Sequence, residues 1–210
     1  MHSLFAVAMI YTLVCLQMSA HGRPLSSFPT TNDTLQVLTA SGLLYGLVKS
    51  SAPNVRQFLG IPYALPPTGP RRWLPAQRFS PTASISATDI GPACPQHPLR
   101  NAWVYSVNGG NMTEFFPREI YSEDCLTLNI WTPRTPKPGL AMPVIVFFFG
   151  GRFVEGTTNS PIYNPQSWIK RTQEHIIVTV NFRMNILGFP NAQGLAEQNL
   201  GLLDQRLATE

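Results

Sequence analysis

The stretch Pro143–Phe153, PVIVFFFGGRF, constrains the fold more than any other part of this chain. Six apolar residues, Val144–Phe149, run without a break into Gly150-Gly151. A continuous apolar run bounded by turn residues is the pattern of a strand buried on both faces. A glycine pair at its C-terminal end lets the backbone turn sharply and point N–H groups at a bound atom. Downstream, Asn164 and Pro165 stand in the order preferred for a helix N-cap and its first turn. Trp168, Ile169 and Thr172 fall on one helical face, and Ile176–Val180 reads as a second buried strand. Strand, helix, strand at this spacing predicts a βαβ unit with parallel strands and a right-handed crossover.

The preceding sequence predicts shorter strands. Leu35–Leu38 and Leu43–Val48 are split by Ser41-Gly42, a hairpin signal. Val55–Ile61 is a third candidate. Pro62–Pro75 carries five prolines and cannot hold regular structure. From there to Ser122 the chain is loop-rich and aromatic. Leu126–Trp131 alternates in the manner of a strand, and Pro133–Pro138 ends it. Leu200–Glu210 predicts a helix with Leu202, Leu203 and Leu207 on its inner side. The class is α/β: short antiparallel N-terminal strands leading into a parallel βαβ sheet core.

Composition narrows the setting. The chain is 44 % hydrophobic and only 12 % charged, which is globular and poor in charge. Its net charge of +4 comes from scattered residues, with Arg71-Arg72 and Lys170-Arg171 the only basic doublets, so no nucleic-acid patch is expected. Leu4–Leu16 has the length of a signal-peptide core, and Ser19, Ala20 and Gly22 offer small residues for cleavage. Residues 1–22 therefore read as a signal peptide and 23–210 as one partial domain. A membrane anchor is the alternative, but the apolar run is shorter than the ~20 residues of a spanning helix. Cys15 would leave with the signal, and Cys94 and Cys125 remain as an even pair. Sequons at Asn32 and Asn111 fit the same secreted, extracellular setting.

Several blocks together carry a resemblance. They are Phe58–Ala64 (FLGIPYA), Pro66-Pro67 with Gly69 and Arg72-Trp73, and Glu123–Trp131 (EDCLTLNIW). They continue with Phe149–Phe153 (FGGRF), Val180–Arg183 (VNFR), Leu187–Phe189 (LGF) and Gly201–Arg206 (GLLDQR). In order and spacing the chain resembles the N-terminal part of the type-B carboxylesterases, the family of cholinesterases and secreted fungal lipases. The resemblance implies an α/β-hydrolase fold and ester hydrolysis by a Ser nucleophile, a His base and an acidic orienter. The implied partner is a small-molecule or lipid carboxylic ester, with no cofactor and no metal.

By the same resemblance Gly150, Gly151 and Arg152 form the oxyanion loop, with the N–H groups of Gly151 and residue 152 as donors. The family usually has a third glycine where Arg152 stands. If that position needs φ > 0, a non-glycine residue there is strained. A long cation would also lie where substrate should, unless it selects anionic esters. The resemblance further implies a Cys94–Cys125 disulfide bounding a lid-like loop, and two internal ion pairs, Arg72–Glu123 and Arg183–Asp204. Phe115–Arg118 lacks the tryptophan that binds choline in cholinesterases, so a choline ester is not expected.

No Gly-x-Ser-x-Gly occurs in the 210 residues. The resemblance places nucleophile, acid and His beyond Glu210, so no catalytic residue is assigned. His97 and His175 are poor candidates, with His175 expected at a surface or helix end. Three readings follow: an ester hydrolase incomplete as this chain, a non-catalytic binding or adhesion module of the same superfamily, or a truncated gene product without function. Val144–Phe149 would be interior in the family. Without its later neighbours it would expose an apolar edge.

Overall fold

The computed structural model describes residues 35–39, 42–80, 84–96, 120–135 and 141–210. The signal-like segment, Cys15, the sequons at Asn32 and Asn111, His97 and Phe115–Arg118 lie outside them. The described strands form two sheets. β1 (Gln36–Thr39) and β2 (Gly42–Tyr45) pair antiparallel, with Thr39 opposite Gly42. β2 then pairs parallel with the two-residue β4 (Ile85–Ser86).

The second sheet has four strands in the order β3-β5-β7-β6. They are β3 (Val55–Pro62), β5 (Thr127–Pro133), β6 (Val144–Phe148) and β7 (Ile176–Val180). β6 and β7 run parallel in register, joined through helix α1 (Gln166–Thr172), as the βαβ reading requires. β5 runs antiparallel to both β3 and β7. The sheet core is therefore mixed, and the expected parallel core is reduced to a single strand pair in this sheet. Sequence periodicity reports which faces are apolar, not the direction of a neighbouring strand.

The alternation along β5 explains its central place. Thr127, Asn129 and Trp131 are buried, while Leu128 and Ile130 face the other way and are partly buried. Trp131 packs with Val55, Leu59, Ile177 and the fully buried Ile169 of α1. On the opposite face Leu128 and Ile130 meet Phe58, Ile61, Leu44 and Ala87, which ties the small sheet to the large one. A register shift between Phe58 and Ile61 keeps both of those residues on that face. Gly60 makes the shift possible: its φ is +66°, and a Cβ there would come within 2.4 Å of the Asp89 carbonyl oxygen. Its N–H donates to Asn129 Oδ1 at 2.8 Å.

Three local readings need correction. α1 starts at Gln166 with Pro165 as its N-cap, one residue later than expected; Asn164 still accepts the Gln166 N–H at 2.9 Å. Of the three residues placed on one helical face only Ile169 is fully buried, and Trp168 is exposed. The last helix, which we number α3 (Leu200–Thr209) after the short α2 (Asn185–Gly188), buries Leu200, Gly201 and Asp204 and leaves Leu202 exposed. Leu203 is half-buried and Leu207 packs against the core, so of the three expected inward leucines only Leu202 turns outward, while Asp204 is buried on Arg183. Finally, among the described residues β6 lies at the edge of its sheet, and Val144, Ile145 and Val146 are exposed: the run that reads as doubly buried shows the apolar edge expected without its further neighbours.

Candidate functional site

The loop after β6 starts from a fixed point. Phe149 is buried and stacks on Phe182, with ring centroids 4.7 Å apart and planes at 17°. The backbone then enters an unusual turn. Gly151 has φ +141°, and a Cβ there would lie 1.7 Å from the Glu155 carbonyl oxygen. Arg152 and Phe153 follow at φ 57° and 62°, two successive non-glycine residues in the left-handed region. Such conformations cost of order 1–3 kcal/mol each and persist only where the surroundings enforce them.

The surroundings do enforce them. Val154 and Glu155 N–H groups both donate to the Gly151 carbonyl, at 3.0 and 3.3 Å. The Asn185 N–H donates to the Phe153 carbonyl at 2.6 Å. Gln96 clamps Gly156 from both sides: its Oε1 accepts the Gly156 N–H at 2.7 Å and its Nε2 donates to the Gly156 carbonyl at 2.8 Å. Asn181 Oδ1 accepts the Thr158 N–H at 3.0 Å, and Asn129 Nδ2 donates to Thr158 Oγ1 at 3.2 Å. Among the described residues no hydrogen bond engages the N–H groups of Gly151 or Arg152. The Arg152 side chain is exposed, and no ion pair holds it among the described residues.

The disulfide and the two expected ion pairs brace this region. Cys94 and Cys125 are bonded with their Cα atoms 5.0 Å apart, beside Gln96 in sequence. Arg72 engages Glu123 through Nε and, at 2.8 Å, through Nη2. The Arg72 hydrogen bond holds the Glu123 carboxyl below the usual glutamate range, against some opposing burial. Arg72 also lies 5.6 Å over the Trp73 ring.

The second pair, Arg183 with Asp204, is buried. Nε and Nη2 reach the two carboxylate oxygens at 2.8 and 2.7 Å. Nη1 donates to the carbonyls of Arg72 and Leu74, each at 2.9 Å. One guanidinium thus joins the segment after β7, helix α3 and the Arg72–Leu74 strip. Tyr63, beneath them, donates to the Asn181 carbonyl at 2.7 Å. Burial, with Asp204 nearby, pushes its phenol well above the usual range.

His175 is at a helix end, just past α1, and not at a surface. It is buried, with its ring 4.6 Å from that of Trp168 and Nδ1 3.3 Å from Thr172 Oγ1. It precedes the N-terminal end of β7, whereas the loop follows the C-terminal end of the parallel β6. About 16 Å of strand separates the two ends at ~3.3 Å per residue. A histidine there cannot serve a reaction at Gly151.

Sequence reasoning passed over Gln96, Asn181 and Asn185, which hold the loop through backbone groups. Their signal was weak: isolated amides next to a cysteine, a strand end and a helix start. Among the described residues no group of His, Cys, Asp and Glu has the arrangement of a metal site.

Comparison with known proteins agrees with this architecture. The model of the carboxylesterase family matches residues 33–210. A chlorogenic acid esterase of Aspergillus niger is 38 % identical over 205 residues, covering 94 % of this chain and 40 % of that protein. Secreted lipase 5 of Gibberella zeae is 39 % identical over 193 residues, covering 84 % of the chain and 36 % of the relative. The acetylcholinesterase of Electrophorus electricus is 35 % identical over 190 residues, covering 88 % and 29 %. The chain thus spans between 29 % and 40 % of the length of these relatives. A family model matched over residues 33–210, relatives above 30 % identity and a glycine loop at the end of β6 lead to one conclusion: the chain belongs to the carboxylesterase family.

Proposed function

We propose that this chain supplies the oxyanion-binding part of a carboxylic ester hydrolase and is catalytically inert by itself. The carrying observation is the turn at Gly151–Phe153, whose Gly151 and Arg152 N–H groups take no partner among the described residues while every flank is tied down. Preorganised N–H donors are what a tetrahedral oxyanion requires, each worth about 2.7–4 kcal/mol in known acyl-transfer enzymes. Generating that oxyanion needs a nucleophile with a base in reach. The 210 residues hold no Gly-x-Ser-x-Gly, and His175 stands at the wrong end of the sheet.

Export fits the same reading. A bridged Cys94–Cys125 pair suits an oxidising compartment, and one relative is named a secreted lipase. In this reading residues 1–22 are removed as a signal peptide, 23–210 form the partial hydrolase domain, and Asn32 and Asn111 carry glycans. The substrate class is a small-molecule or lipid carboxylic ester. No helix among the described residues is long and apolar enough to cross a membrane.

The exposed Arg152 favours a second reading, a non-catalytic binding module, because a long cation at the loop tip impedes an ester more than an anionic ligand. One assay separates them from an active enzyme. The secreted chain is incubated with a short-chain nitrophenyl ester. The expected rate equals the uncatalysed background. Turnover that disappears on treatment with an active-site serine reagent overturns the proposal.

A further inference from the structure

We propose that Asn185 is a positioning residue for the Arg152 donor, aiming and polarising that N–H through two peptide units in series. The inference rests on the reading of Gly151 and Arg152 as oxyanion donors. A planar trans peptide points its C=O and its N–H in opposite directions. Whatever grips the carbonyl of such a unit therefore fixes where its N–H aims. The Gly151 carbonyl and the Arg152 N–H belong to one unit, and the Val154 N–H donates to that carbonyl at 3.0 Å. Val154 N–H in turn shares its unit with the Phe153 carbonyl, which accepts the Asn185 N–H at 2.6 Å. The relay runs from Asn185 through Phe153–Val154 to Gly151–Arg152. It ends at an N–H without a partner among the described residues. Hydrogen bonds linked in this way polarise one another, which makes the terminal N–H the stronger donor.

The start of the relay depends on an unusual backbone. Asn185 opens α2 with φ 47°. Asparagine visits this left-handed region more readily than most residues because its short amide bonds locally. Here Oδ1 accepts the Leu187 N–H at 3.2 Å, and Nδ2 donates to the Pro95 carbonyl at 2.8 Å. Turning the amide over would set its oxygen against that carbonyl and its NH2 against the Leu187 N–H, so the two bonds fix its orientation. Pro95 directly precedes Gln96, the clamp on Gly156. Asn185 thus grips the loop at Phe153 and braces the segment that holds the loop's far end. All of these contacts lie within residues 95–187 and owe nothing to a sheet edge or a free surface.

Amide correlation spectra of the isotope-labelled full chain test the relay. Asn185→Ala keeps the N–H but disfavours the left-handed backbone that aims it. Asn185→Gly removes the same side chain and keeps that backbone. Both lose the Pro95 bond, and both should melt at a lower temperature. The expected result is that the Arg152 amide proton moves upfield in Asn185→Ala and holds its place in Asn185→Gly. A merely structural role would move the two alike, so equal shifts overturn the proposal. So does an Arg152 signal that Asn185→Ala leaves untouched. Asn185→Ser, which lacks asparagine's preference for the left-handed region, takes the place of the alanine variant if that fails to fold. Sodium acetate, added at constant ionic strength, separates this inference from the reading beneath it. Acetate should shift the Gly151 and Arg152 amides and bind about fivefold more weakly to Asn185→Ala. Equal binding to both forms overturns the positioning role. Amides unmoved by acetate, with Arg152 still displaced in Asn185→Ala, uphold the relay and overturn the oxyanion reading.

Discussion

Arg183 and Asp204 form a bidentate pair whose side chains are 2 % and 0 % exposed. Among the described residues no other ion pair joins so many parts of the fold, because the same guanidinium also holds the carbonyls of Arg72 and Leu74. Asp204 Oδ2 additionally accepts the Arg183 backbone N–H at 3.1 Å. Asp204→Ala should therefore leave a buried cation and a buried amide without partners. Removing one member of such a pair costs about 3–5 kcal/mol. Urea unfolding followed by circular dichroism should show that loss, and a change under 1 kcal/mol would mean that the pair is not closed in solution.

The disulfide makes an independent prediction. Cys94 and Cys125 are 31 residues apart in sequence, and closing such a loop restricts the unfolded chain by about 3–4 kcal/mol. The bridge also anchors Cys94, two residues from the Gln96 clamp on Gly156. Replacing both cysteines by serine should lower stability by about that amount. Proteolytic cleavage within 150–156 should become faster in the same variant. Unchanged cleavage would show that Gln96 is positioned without the bridge.

Much of this was legible in the sequence for a physical reason. Strands β5, β6 and β7 are written as alternation or as apolar runs, and Cys125 and the ion-pair partners sit inside dense family motifs. What escaped was relational. The antiparallel direction of β5 against β7 depends on chain routing that periodicity does not encode. Helix α3 turns Asp204 onto Arg183 and Leu207 onto the core and leaves Leu202 outside, and the leucine spacing alone does not mark the buried carboxylate. His175 is buried because Trp168 and the end of α1 cover it, a contact between residues seven apart across a helix end. The loop-holding amides Gln96 and Asn181 bond to backbone groups about 60 and 23 residues away, so nothing local marks them.

The glycine loop can be tested by conformation alone. Gly151→Ala meets the Glu155 carbonyl oxygen at 1.7 Å while holding φ +141°. The strain is about 1–3 kcal/mol, with displacement of the turn in addition. Arg152→Gly acts in the opposite sense, since φ 57° suits glycine better than arginine. Its expected effect is a gain of about 1 kcal/mol. Thermal melts of the two variants should thus move in opposite directions. Movement of both downward would mean that Arg152 makes a stabilising contact in solution.

The pH dependence of stability should carry the mark of Glu123. Its carboxyl is held below the usual range chiefly by the hydrogen bond from Arg72, with the charge of Arg72 adding to it. A depressed value in the folded state means that the unfolded chain binds the proton more readily. The contribution is complete above the unfolded glutamate range and is lost as pH falls through the folded value. At the alkaline end the sign reverses. The Tyr63 phenol is raised by burial, so the unfolded chain releases its proton first. That contribution is present below the ordinary tyrosine range and is lost above it. Denaturation midpoints should accordingly fall at both extremes. Glu123→Gln should flatten the acid limb and leave the alkaline limb intact, while Tyr63→Phe should do the converse. An acid limb unchanged by Glu123→Gln would assign it to other carboxylates and show that the Arg72 pair is open in solution.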